Sequence, residues 1–169
     1  MPDLDSKAIK HWLELIDPVE QLLNAVLYVV HPGMYSANSE ATPLLLKELK
    51  RNLPTWPTVY HAMDIIANWV TPQHYDRDGA VTFYDHLVSL GKDHNAHLLL
   101  HNLDEEFGYQ SGTSVLFSEK VLAHSVPQWP EGERIVIAHY SKNDMQDRLQ
   151  VARPLLPTQL GWWSKYLEK

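Results

Sequence analysis

From Thr58 onward the chain changes grammar: short runs rich in Val, Ile, Tyr, Phe and Leu alternate with Pro, Gly, Asp and Asn, and no ten-residue helical pattern recurs between them. Such runs read as strands, and the missing helices argue against alternating βαβ units on a parallel sheet. A mostly antiparallel sandwich or barrel is left. Strands are expected near Val59 to Val70, Val81 to Leu90, Ala96 to His101, Thr113 to Phe117, Val121 to Ser125 and Arg134 to Tyr140.

The first fifty residues differ. "DPVEQLLNAVLYVV" sets Asp17 at an N-cap, Pro18 at the first helical position and Glu20 at the third, with Leu22, Leu23, Val26, Val29 and Val30 at helical spacing. A shorter helix is expected at Ala8 to Ile16. "HPG" at His31 to Gly33 closes the second helix, and a third spans Thr42 to Leu53 with Pro43 in its first turn. At 169 residues one domain is expected over 1–169: a helical support region 1–54 packed on one sheet, a β core 55–153 and a tail 154–169. The tail's "GWWSKYLEK" reads as docking onto the body, with a dimer contact as the alternative.

Cysteine is absent, so any metal held by this chain is held by imidazole and carboxylate. The net charge of −7 gives no strong nucleic-acid signal, a local basic patch being the alternative, and no apolar run approaches the roughly 18 residues of a membrane span. No signal peptide is evident, which makes an intracellular protein the expectation, and nothing sets an oligomeric state. No Gly-x-Ser-x-Gly, phosphate loop or Gly-x-Gly-x-x-Gly occurs, so no catalytic nucleophile or nucleotide fingerprint is read.

The ten histidines invite a search for ligand geometry, and only His74, in "QHYDRDGAVTFYD", is followed two residues later by an aspartate, Asp76. If Asp64, Ile66, Asn68 and Val70 share one strand face, extension through Pro72 puts His74 and Asp76 on the same side. Residues two apart on a strand point the same way, about 7 Å apart at Cα, which suits two ligands on one metal. A solvated turn with an incidental histidine is the bland alternative. Among the histidines only His124 has an Arg or Lys ten residues downstream, Arg134. Arg134, Val136, Ala138 and Tyr140 share a strand face, so the arginine opens an otherwise small or apolar wall, with Ala138 and Tyr140 as candidate pocket lining. An exposed arginine paired with Glu131 or Glu133 is its alternative.

Taken in order, His-x-Asp, a distal His and a following Arg resemble the Fe(II)- and 2-oxoglutarate-dependent dioxygenases, whose fold is a double-stranded β-helix, a jelly-roll or cupin-like barrel. The likeness covers about Val59 to Val151. "FYDHLVSLG", "YQSGTSVLFSEKVLAHSV" and "GERIVIAHYSKNDMQDRLQV" resemble segments of a fungal group of such proteins, with a likeness to the TET/JBP-like branch that oxidises nucleobase methyl groups. The resemblance implies an α+β, mainly β barrel with N-terminal helices. It implies His74, Asp76 and His124 as Fe(II) ligands, Arg134 on the distal carboxylate of 2-oxoglutarate and Asn68 near the cosubstrate. It also implies an O2-dependent oxidation, hydroxylating or demethylating a small molecule or modified base while 2-oxoglutarate becomes succinate and CO2. The small size and acidic balance depart from the family, so an iron-binding paralogue that acts as a binding or sensing module is the alternative. A metal-free sandwich with His74 far from His124 is a third reading.

Other residues compete. His94, His97 and His101 would gather on a helix face, but the turn-like flanks favour a strand, on which His97 and His101 lie about 13 Å apart. His139 faces away from Arg134 on its strand and reads as structural. His61 and Asp64 point to opposite faces, and spacing from His74 favours Asp76 over Asp78 or Asp85 as ligand.

Overall fold

The computed structural model describes residues 7–48 and 56–158. The end of the expected third helix at Leu53 and the sequence "GWWSKYLEK" lie outside the described residues. The chain divides into two compact units, one ending at His61 and resuming at Met145, the other Ala62–Asp144.

In the first unit, α1 (Lys7–Val30) is one continuous helix, not the two expected, and Pro18 lies inside it. Leu13, Glu20, Leu23, Asn24 and Leu27 form its buried stripe, while Glu14 and Pro18 are exposed. The carbonyl that loses its helical donor to Pro18 therefore faces water, and burial of the stripe carries the helix through. Asp17 caps nothing; its carboxylate accepts a bond from Gln21 Nε2 at 3.3 Å. "HPG" does end α1, but it also starts α2 (Pro32–Glu48). His31 is the N-cap, its Nδ1 accepting the Met34 backbone N–H at 3.2 Å, and Pro32 takes the first helical position. Ala37, Ala41 and Val151 form a small apolar cluster in this unit.

The second unit holds eight strands: β1 (Ala62–Ala67), β2 (Thr71–His74), β3 (Asp85–Lys92), β4 (His97–Leu100), β5 (Glu105–Gly108), β6 (Ser114–Phe117), β7 (His124–Val126) and β8 (Glu133–Tyr140). A short α3 (Asn143–Leu149) follows in sequence. The single strand expected over Val59 to Val70 is overturned. Asn68 adopts φ 51°, a left-handed conformation asparagine tolerates, which ends β1 and sends the chain into a different sheet at β2. β5, fully exposed, was not anticipated.

Two four-stranded antiparallel sheets result, ordered β1-β8-β3-β6 and β2-β7-β4-β5, and no barrel closes among the described residues. The fold is β-rich α+β. Pairing is nested: β1 with β8, β2 with β7, β3 with β6 and β4 with β5. Leu87, Phe117 and Val136 of the first sheet meet Leu98, Leu100 and Val126 of the second, with Ala96 and Tyr109, in one core cluster. At about 25 cal/mol per Å² of apolar surface removed from water, such a cluster is the main term holding two sheets face to face. Gly91, at φ 119°, lets the β3 backbone approach β8 where a Cβ would strike the Glu133 carbonyl. No helix among the described residues is long and apolar enough to cross a membrane.

Candidate metal centre

The last residue of β2 and the first of β7 are His74 and His124, and the antiparallel ladder makes them direct partners. Their ring centroids lie 4.2 Å apart at 53°. In each, Nδ1 lies at a backbone carbonyl two residues earlier, His74 on Pro72 at 2.9 Å and His124 on Leu122 at 3.1 Å. Carbonyls only accept, so these bonds put the proton of each neutral ring on Nδ1 and leave Nε2 as a bare lone pair.

Those lone pairs face carboxylates. His74 Nε2 is 3.6 Å from Asp76 Oδ1, and His124 Nε2 is 3.6 Å from Glu119 Oε1. Asp76 is anchored beyond β2 by its backbone N–H, which donates to the Glu119 carbonyl at 2.9 Å. Asp85, first residue of β3, completes a group in which Asp76, Asp85 and Glu119 each place a carboxylate oxygen within 4.8 Å of the others. Burial pushes the Glu119 carboxyl up to about 9, with the Asp85 and Asp76 charges adding to the effect. Burial likewise lifts Asp85 to about 7, Asp76 adding and a hydrogen bond to the Ser141 backbone opposing. His124 is held below the usual imidazole value, chiefly by burial.

Among the described residues the donor atoms that all lie within 4.8 Å of one another are those of Asp76, Asp85 and Glu119, and neither His74 nor His124 belongs to that group. Ligand histidines characteristically donate their other ring N–H to a carbonyl or carboxylate, which both rings here do. Two Nε2 lone pairs opposite carboxylate oxygens repel unless a proton or a cation lies between them. Ligands at about 2.1 Å from one ion in adjacent positions stand roughly 3 Å apart; the 3.6 Å separations here belong to two different pairs, His74 with Asp76 and His124 with Glu119.

The centre opens into a cavity of about 340 Å³. That is at the small end of the roughly 300–1,000 Å³ of small-molecule pockets. His74, Asp76, His124, Arg134, Ala138 and Tyr140 all line it, and Asp64 and Ile66 of β1 do too. Asn68 is not among its lining residues. Its side-chain Oδ1 accepts the Arg134 backbone N–H at 2.9 Å, and its own N–H donates to the Arg134 carbonyl at 2.8 Å, so it clamps the start of β8. Tyr140 donates its hydroxyl to Asp64 Oδ2 at 3.2 Å, and burial with that carboxylate pushes its pKa up to about 12.

Arg134 is 3% exposed, and among the described residues no carboxylate pairs with it, neither Glu131 nor Glu133. Its guanidinium carbon lies 4.9 Å from the Tyr109 ring centroid and 5.7 Å from that of Trp129. Nε has no hydrogen-bond partner. Burial pulls its pKa down, opposed by Tyr109, and its Nη1 donates to the Trp69 carbonyl at 3.5 Å. His97 and His101 lie apart from the centre on β4 and its end, pairing with Glu106 at 2.5 Å and Ser125 Oγ at 2.9 Å. His139 is fully buried, its Nδ1 on the His86 carbonyl at 2.9 Å.

Sequence reasoning missed Glu119 and Tyr109 and set Asp85 aside. No spacing rule ties Glu119 to His124 five residues on, or Asp85 to His74; strand pairing unites them.

No protein-family model matches the chain, and no curated protein does. Among solved structures it is similar to NgTET1 in complex with 5mC DNA, with a TM-score of 0.64 and 15% sequence identity. The match covers 100% of this chain and 63% of that one, so the chain spans less than two thirds of its length. At that identity the likeness shows a shared fold.

Proposed function

We propose that the chain is an Fe(II)- and 2-oxoglutarate-dependent oxygenase on a double-stranded β-helix. The nested pairing and the orders β1-β8-β3-β6 and β2-β7-β4-β5 support that fold, since an eight-stranded jelly roll pairs its strands this way. The likeness to NgTET1 agrees with the TET/JBP-like resemblance. The observation that carries the reading is one cavity with His74, Asp76 and His124 lining it along with a buried, carboxylate-free Arg134.

His74, Asp76 and His124 would hold Fe(II), and Arg134 would take the distal carboxylate of 2-oxoglutarate. With iron and O2 bound, such a centre couples oxidative decarboxylation of 2-oxoglutarate, to succinate and CO2, with oxidation of a second substrate. The chain's own part is to fix both imidazoles through their Nδ1–carbonyl bonds and to orient the cosubstrate through Arg134. Apolar Leu87, Leu98, Val126 and Val136 keep the cavity wall dry. A small molecule or modified base is the proposed substrate class.

A second reading is favoured by Glu119. Its carboxylate beside His124 Nε2 would supply a donor beyond His74, Asp76 and His124, as in a metal-holding module that turns over little. Anaerobic titration with Fe(II) and 2-oxoglutarate, followed by succinate measurement in air, separates the two. A visible charge-transfer band plus succinate supports the oxygenase; metal uptake without succinate supports the module. In folded protein, neither band nor metal uptake overturns both.

A further inference from the structure

Besides the stripe that α1 buries, the helix carries a second apolar stripe. Trp12, Leu15, Val19, Leu22, Val26 and Val29 follow one another at alternating intervals of three and four residues, a heptad seam held over most of the helix. It lies about 120° round the helix from the buried stripe of Leu13, Glu20 and Leu27. Leu15 and Leu22 are 64% and 63% exposed, Val19 is 50% and Val29 45% exposed, and Trp12 and Val26 are half-buried. A helix face that meets water carries charge, yet the only charged side chain from Pro18 to Val30 is Glu20, and it is buried.

We propose that this seam is the interface of a parallel, two-fold symmetric pair of α1 helices, the partner being a second copy of this chain. A repeat of about 3.5 residues keeps its side chains facing one way only against another helix wound round it. Valine at one seam position, Val19 and Val26, with leucine at the other, Leu15 and Leu22, is the combination that favours two parallel strands. In such a pair each seam residue meets its own counterpart across the axis, and the stretch from Pro18 to Val30 brings no exposed like charges together. The exposed parts of the six seam residues amount to about 500 Å² per chain, so a pair removes roughly 1,000 Å² from water before flanking residues are counted, which reaches the floor for a specific interface. α1 is already helical in the single chain, so pairing requires little further backbone ordering.

The test is sedimentation equilibrium of the full chain in a series reaching about 100 μM, well above the micromolar end of interface affinities. A dimer is expected. Leu15→Lys and Leu22→Lys should each raise its dissociation constant at least roughly 30-fold, the effect of losing a central anchor, while Ile65→Lys, at a comparably open residue of β1, leaves it unchanged. Circular dichroism checks that these exposed-site variants are folded. The chain has no cysteine, so Leu15→Cys and Leu22→Cys each introduce the sole thiol, and mild oxidation should join two chains in both variants. A disulfide needs Cα atoms within about 7 Å, so an antiparallel pair joins in one of the two variants at most. A monomer at every concentration, the result if another segment such as "GWWSKYLEK" covers the seam, overturns the proposal. So does a dimer that survives both lysine substitutions, or one joined in fewer than both cysteine variants.

Discussion

His74 and His124 are register partners across the β2–β7 ladder, their ring centroids 4.2 Å apart although fifty residues of chain separate them. Each ring is oriented by a carbonyl of its own strand or loop, so their convergence depends on the ladder and not on a bond between them.

Removing one ring should therefore remove metal binding without moving the other. His124→Ala should weaken Fe(II) binding by more than the roughly 10–100-fold that loss of an outer-shell partner costs. His101→Ala, which loses the contact with Ser125 Oγ and an electrostatic influence on His124 but no candidate ligand, should change Fe(II) affinity far less in the same anaerobic titration. Equal affinity for both variants would remove His124 from the centre.

On the proposed function, replacing Arg134 should separate cosubstrate binding from metal binding. Arg134→Met keeps apolar volume between Tyr109 and Trp129 but removes the charge. Fe(II) affinity should hold while 2-oxoglutarate binding weakens about 100-fold, the size of a lost buried charge-assisted pair. Arg134→Lys should restore only part of it, because ammonium lacks the planar fork. Isothermal titration in the absence of O2 reads both ligands.

Gly91 and Gly112 test what holds the start of β8. Both have positive φ, 119° and 89°, so alanine at either costs about 1 kcal/mol or more of backbone strain. At Gly112 the new methyl meets open space; at Gly91 it strikes the Glu133 carbonyl beside Arg134. Urea unfolding should show Gly91→Ala losing clearly more stability than Gly112→Ala, and a similar loss at both would mean that β3 and β8 separate easily there.

Acid should weaken the helical unit through His61. It is 7% exposed, neither ring nitrogen has a hydrogen-bond partner, and burial lowers its pKa from 6.5 to about 4. Between pH 6.5 and 4 the unfolded chain binds the proton that the folded chain refuses, so stability is complete above pH 6.5 and falls as pH drops toward 4. The shift corresponds to an order of 3 kcal/mol. Denaturation midpoints at pH 7.5 and 4.5 should differ less in His61→Phe than in the unsubstituted chain; an unchanged difference would exonerate His61.

Much of the β unit was legible. Arg134 to Tyr140 reads directly as β8, and its alternation puts Arg134, Val136, Ala138 and Tyr140 on the cavity wall, because strand periodicity is a local property of the backbone. The helical region was harder. Pro18 and Pro43 read as starts, yet both lie inside helices. For α1, a long buried stripe outweighs one lost hydrogen bond on an exposed turn, a balance set by burial that local propensity does not encode.

The route from Asn68 to His74 illustrates the limit most sharply. Extending one strand through Asn68 and Pro72 reached the right neighbourhood for the wrong reason: Asn68 turns left-handed, its side chain clamps Arg134, and β2 starts anew in the opposite sheet. By itself the sequence determined the donor chemistry, imidazole and carboxylate without thiolate, and the local spacing of His74 with Asp76. Only the tertiary structure decided that Asp85 and Glu119 join them, because β3, β7 and the turns beside them are brought to one point by ladder register and by burial of the shared core, and no spacing within a segment records either.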